Sequence, residues 1–136
     1  MNTVTFRGKS GALYRFEAWP LDTKFKSVGG VFIVTSRTFE DRTFRTKASH
    51  RSLAMGQTSD LSGSLFTKSE MNKLYLEEAN CICIYPVAAA ERRASIEKDL
   101  AEANEQLGRL LYLVHTPVPS HLPGAQPQGT QNDATI

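Results

Sequence analysis

Two short runs, Val31-Phe32-Ile33-Val34 and Cys81-Ile82-Cys83-Ile84-Tyr85, carry almost no polar residue at successive positions. In a strand, neighbouring side chains point to opposite faces, so a run that is apolar throughout needs cover on both sides. The first is therefore expected to be a strand buried on two faces, and the second a further central strand of the same sheet. Pro86 stops the second run, and Gly29-Gly30 precede the first. This constraint points to an α/β domain, a small and mainly antiparallel central sheet flanked by helices.

The remaining sequence fills in that plan. TVTFR and ALYRFEAW flank GKSG and read as an N-terminal β-hairpin within residues 1–20. SLAMG is expected to be a second short strand ending at a glycine. Thr58-Ser59-Asp60 supplies side chains able to cap free amides, so a helix is expected from there through SLFTKSEMNKLYLEEA, with a break near Thr67. A second helix is expected from about Ala88 to Val114, with Ile96, Leu100, Ala103, Leu107, Leu110, Leu111 and Val114 spaced by three and four. Residues 117–136 are rich in Pro, Gly, Gln, Ser and Thr, and are expected to be a disordered tail after a domain spanning 1–116.

Charge is unevenly distributed. The net value is +2, yet residues 1–51 carry ten Lys/Arg against four Asp/Glu, and residues 52–116 carry six against nine. Much of the excess lies in RTFEDRTFRTKASHR, residues 37–51, which have neither a helical nor a strand period and read as a long loop. Arg37, Arg42, Arg45, Lys47 and Arg51 could contact phosphates there, with Phe39 and Phe44 available to stack on bases. The competing reading is a solvated loop whose aromatics fold back onto the domain.

Cys81 and Cys83 would point the same way from one strand, a poor geometry for a mutual disulfide. They lack evident zinc partners, and His50 reads as a surface histidine. No run of eighteen apolar residues and no signal-peptide core occurs, so a cytoplasmic protein without a membrane span is expected.

The order of GGVFIV, a loop, LAMGQTSDLS, a helix, ANCICIYPV and RRASIEKDLAEAN resembles the GIY-YIG nuclease domain of bacterial and phage-like proteins, over about residues 14–104. Gly30-Val31-Phe32 stands for Gly-Ile-Tyr, and Ala54-Met55-Gly56 for Tyr-Ile-Gly. The resemblance implies a metal-binding glutamate at Glu97, where Mg²⁺ or Mn²⁺ could bind. It also implies phenols at positions 32 and 54 and an arginine at 64. Those positions are held by Phe32, Ala54 and Ser64, so the motif chemistry is degraded. Each missing acid, base or charge donor costs about 10²–10⁴-fold in rate.

Residue by residue, the plain structural roles compete with these. Phe32 and Ala54 fit a core, Gly56 a strand-to-helix turn, and Glu97 a helix glutamate that is solvated or ion-paired with Arg93 four residues earlier. The expectation is a catalytically impaired nuclease-like protein that binds nucleic acid, DNA among the candidates, without cutting it. One alternative is a protein-interaction or regulatory module, docking a partner or a second copy through Leu107, Leu110, Leu111 and Val114. Another is an active endonuclease whose base has moved to Tyr14, Tyr75 or Tyr85.

Overall fold

The computed structural model describes residues 2–42 and 45–103, with the side chains of residues 40–42 and 45–47 left out of the description. Seven elements follow in order: β1 (Asn2–Arg7), β2 (Leu13–Pro20), β3 (Gly30–Arg42), β4 (Arg45–Thr58), α1 (Lys68–Leu76), β5 (Cys81–Pro86) and α2 (Ala90–Ala103). The strands form one antiparallel sheet in the order β1-β2-β5-β3-β4. The last strand in sequence therefore enters the middle, between two hairpins. Cys81–Ile84 pair with Glu17–Pro20 on one side, and Cys81–Pro86 pair with Gly30–Thr35 on the other.

The apolar runs are buried as their patterns require. Val31, Ile33, Cys81 and Cys83 face α2, in a core with Phe16, Ala18, Met55, Ile96 and Leu100. Phe32, Val34, Ile82 and Ile84 face the opposite way, where Leu53, Ala54, Leu61 and Leu74 cover them. Truncating any one of the large side chains here is expected to cost about 2–5 kcal/mol, because surrounding atoms only partly refill the space.

Three expectations are corrected. Residues 37–51 are mostly strand, continuing β3 and β4 well past the expected ends; SLAMG is only one part of the 14-residue β4. Thr58-Ser59-Asp60 starts no helix. Instead, Thr58 Oγ1 accepts from Asp60 N–H (3.1 Å), and Asp60 Oδ1 accepts from Ser62 N–H (2.9 Å) and Ser62 Oγ (2.6 Å), which closes a turn. The helix begins later, where Thr67 accepts from Glu70 N–H and Glu70 reaches back to Thr67 N–H, a reciprocal cap. The expected interface residues Leu107, Leu110, Leu111 and Val114, and the 117–136 tail, lie outside the described residues.

Register within the β3–β4 pair slips once. Val34 opposes Ala54 and Thr35 opposes Ser52, leaving Leu53 as an extra residue. Leu53 and Ala54 consequently enter the same core, although strand neighbours ordinarily diverge. Beyond the slip, Ser52 and His50 stand opposite Thr35 and Arg37, so His50 is carried onto the α2 face. A continuous alternation would have placed it on the α1 face.

Two glycines are fixed by close approach. Gly56 lies inside β4 and not at a turn, opposite Phe32; an added Cβ would fall 2.7 Å from the tip of that ring. Gly29 makes room for Arg93, whose Nη1 would be 2.6 Å from a Cβ there. We expect Gly56→Ala to lower stability by about 1–3 kcal/mol in a urea titration, through overpacking against Phe32. Replacing Phe32 with leucine in the same chain should recover part of that loss.

Candidate functional site

The residues singled out from sequence fall into three places. Phe32 and Ala54 are buried on the α1 face, 2 % and 0 % exposed, with Phe66 set edge-on to Phe32 at 5.4 Å between ring centroids. Ser64 precedes α1 and is not on a helix; its hydroxyl donates to the Phe66 carbonyl (3.3 Å). Beside it a groove of about 230 Å³ is lined by Leu21, Phe25, Leu61, Phe66 and Met71, with Lys24 as its one charged lining residue. Among the described residues, no acidic side chain lines this groove.

Glu97 belongs to the other face. Its neighbour Ile96 packs under α2, and Glu97 hydrogen-bonds Gln57 of β4. The sheet thus separates Glu97 from Phe32 and Ala54. The expected Arg93–Glu97 ion pair does not form. Buried Arg93 instead donates to Gln57 Oε1 (3.1 Å) and to the carbonyls of Val87 (3.1 Å) and Ala88 (2.6 Å). A guanidinium presents five fixed donors, and three acceptors here replace much of its lost water. Burial pushes the Glu97 carboxyl up to about 7, with the Gln57 hydrogen bond acting in the opposite direction. Among the described residues Glu97 joins no group of three or more metal-ligating side chains. Mg²⁺ ordinarily needs several oxygen ligands.

The tyrosines proposed as substitute phenols are also separated. Tyr14 and Tyr85 pack edge-on at 5.9 Å on the α2 face, whereas Tyr75 is an exposed residue of α1. The Tyr14 hydroxyl donates to Asp99 Oδ2 (2.7 Å), which holds its pKa above the ordinary phenol value. Asp99 also accepts from Ser10 N–H and Oγ, tying α2 to the N-terminal hairpin.

The basic segment has a definite form. Beyond Thr35, where β5 pairing ends, β3 and β4 continue together from Ser36↔Arg51 to Arg42↔Arg45. Asn80 pins the base of this ribbon, its side chain accepting from Arg37 N–H (2.7 Å) and donating to Arg37 C=O (2.9 Å). Seven residues at about 3.3 Å each carry the ribbon roughly 23 Å past the central strand. It holds Arg37, Arg42, Arg45, Lys47 and Arg51 against Glu40 and Asp41. Arg42 and Arg45 occupy directly paired positions at its outer end, and Lys47 stands opposite Glu40.

Two of the five cations already have structural partners. Arg51 Nη2 donates to the Glu77 carbonyl (2.8 Å) and its Nη1 lies 3.3 Å from the Glu77 carboxylate, at the C-terminal end of α1. The Arg37 guanidinium sits over the Phe39 ring, 5.1 Å from its centroid. Phe39 is 55 % exposed.

At the root of the ribbon, on the α2 face, the structure brings together residues that the sequence reading kept apart. Cys81, Cys83 and His50 each place a ligand-type atom within 4.8 Å of the other two. Thr35 Oγ1 and His50 Nδ1 share a hydrogen bond of 2.9 Å. Both cysteines are fully buried, and His50 is half-buried on the edge strand, not a simple surface residue. Burial, then the Arg37 charge, lower the His50 pKa. A hydrogen bond from Cys83 lowers the Cys81 pKa, while that same bond and burial raise the Cys83 pKa. The missed signal was the Cys-x-Cys spacing in a strand, because the histidine reaches it only through the register slip at Leu53.

Comparisons with family models, curated proteins and solved structures return no match for this chain. Among the described residues no helix is long and apolar enough to cross a membrane.

The Glu97 environment gives a pH dependence of defined sign. Its folded-state pKa lies above the ordinary 4.5, so its contribution to stability is fully present below about pH 4.5 and fades as pH rises through about 7. Above that range the fold holds a half-buried carboxylate. Glu97→Gln is expected to stabilise the protein by roughly 1–3 kcal/mol near pH 8 relative to its effect near pH 4, measured by denaturant titration at both values.

Proposed function

We propose that this chain is a degenerate GIY-YIG-like domain that binds nucleic acid through the β3–β4 ribbon without cleaving it. The observation that carries the binding half is the ribbon itself: a two-stranded extension with five Lys/Arg and two Asp/Glu, projecting beyond the central strand. Two-stranded ribbons fit the major groove of duplex DNA, and phosphate neutralisation supplies most of the sequence-independent affinity. Like charges directly opposite each other weaken a strand pair, so the Arg42–Arg45 position gains when an anion lies across it. Exposed Phe39 adds an aromatic surface near the ribbon root.

The positions of the motif residues support the non-cleaving half of this reading. Phe32 and Ala54 supply no proton-transfer group, and Glu97 is across the sheet from both. A single transition state cannot be served from two faces of one sheet, since catalytic geometry tolerates displacements of only about 1 Å.

The test is binding of duplex and single-stranded oligonucleotides, followed by fluorescence anisotropy over a series of salt concentrations. Affinity should fall steeply with salt. Arg42→Glu with Arg45→Glu should weaken binding at least tenfold and lower the magnitude of the log–log salt slope by about two. Undiminished affinity in the folded double variant overturns the ribbon reading. Cleavage with Mg²⁺ or Mn²⁺ that disappears in Glu97→Ala overturns the non-cleaving one.

A further inference from the structure

We propose that Cys81, Cys83 and His50 form a binding site for copper(I), held by two thiolates and one imidazole at the root of the ribbon. Thiolates are soft ligands that select copper(I), zinc and iron–sulfur centres over hard cations. The three ligand-type atoms already lie within 4.8 Å of one another. Two metal–sulfur bonds of about 2.3 Å set about 120° apart put the sulfurs about 4.0 Å from each other, so small side-chain movements suffice to close the site. With Nδ1–H donating to Thr35 Oγ1 (2.9 Å), the ring is fixed and the Nε2 lone pair is left for the metal, the kind of outer support that ligating histidines ordinarily have. Access runs through His50, which is half-buried on edge strand β4, whereas the cysteines are closed off.

Charge favours copper(I) over zinc. Structural zinc takes four protein ligands, and a zinc held by two cysteines and one histidine completes its shell with water. Among the described residues the cluster holds three, and the adjacent Thr35 Oγ1 is engaged with the histidine. Three ligands suit a trigonal copper(I) centre. Binding releases both thiol protons: one Cu⁺ and two Cys–SH give a complex of charge −1 and two H⁺. Arg37 stands directly opposite His50, two residues along β3 from Thr35, and its Nη1 is buried without a hydrogen-bond partner. A complex of charge −1 compensates that guanidinium. A zinc complex with the same ligands is neutral and leaves the cation unbalanced. A buried charge is tolerated when paired and is costly otherwise.

The experiment uses the full chain, reduced and anaerobic. It is titrated with copper(I) in competition with bicinchoninate, and separately with zinc against a chromogenic zinc chelator. One copper(I) per chain should be retained, and X-ray absorption should give two sulfur neighbours and one nitrogen. His50→Gln, at a half-exposed position that leaves the core intact, should weaken retention at least tenfold; Arg37→Gln should weaken copper(I) binding by a similar factor. Circular dichroism checks that both variants are folded. Equal retention by wild type and His50→Gln overturns the site, as does any sulfur count other than two. Zinc held where copper(I) is not, or copper(I) binding indifferent to Arg37→Gln, overturns the assignment of the metal.

Discussion

The insertion of β5 between two hairpins is the interaction on which the rest depends. β5 hydrogen-bonds along both edges, to β2 and to β3, and among the described strands it is the one that joins the β1–β2 and β3–β4 pairs into a single sheet. Its four residues Cys81–Ile84 are buried on alternate faces and contribute to both cores. Without it, each hairpin would be a two-stranded ribbon, marginal in water. The helices follow from the same strand: α1 covers the Ile82 and Ile84 side, and α2 the Cys81 and Cys83 side.

This two-sided arrangement also partitions the chemistry. The α1 face is apolar around Phe32, Ala54 and Leu74, and its cation Arg51 is committed to the end of α1. Titratable and ligating groups gather on the α2 face, with Gln57 linking Arg93 and Glu97 near one end and His50, Cys81 and Cys83 near the other. The ribbon emerges next to the thiol–imidazole cluster, and Arg37 takes part in both. A charge change at the cluster would therefore act on the residue that anchors the ribbon's base through Asn80.

Much of the fold was legible because local patterns and tertiary burial agreed. The hairpin around GKSG, the runs VFIV and CICIY, and the helix bearing Ile96 and Leu100 all appear where their periodicity placed them. Legibility failed where a local signal had two outcomes. Thr58-Ser59-Asp60 can cap a helix or close a turn, and both satisfy the same amides; the cap with a reciprocal glutamate, at Thr67, formed the helix. The mixed composition of residues 37–51 hid a strand pair because polar residues on an extension without cover on both faces show little alternation.

Composition and patterning by themselves determined a sheet with a strand buried on both sides, flanking helices, and an excess of positive charge in residues 1–51. They did so because burial and charge are carried by side chains wherever the chain goes. Tertiary structure alone decided which residues meet. A single extra residue at Leu53 reversed the facing of the ribbon's inner end and delivered His50 to two cysteines more than thirty positions away. The same sheet put Glu97 and Phe32 on opposite sides. Facing alternates with every residue, so one slip of register moves each later side chain across the sheet. That slip is set by pairing between strands and leaves no mark on the sequence of either one.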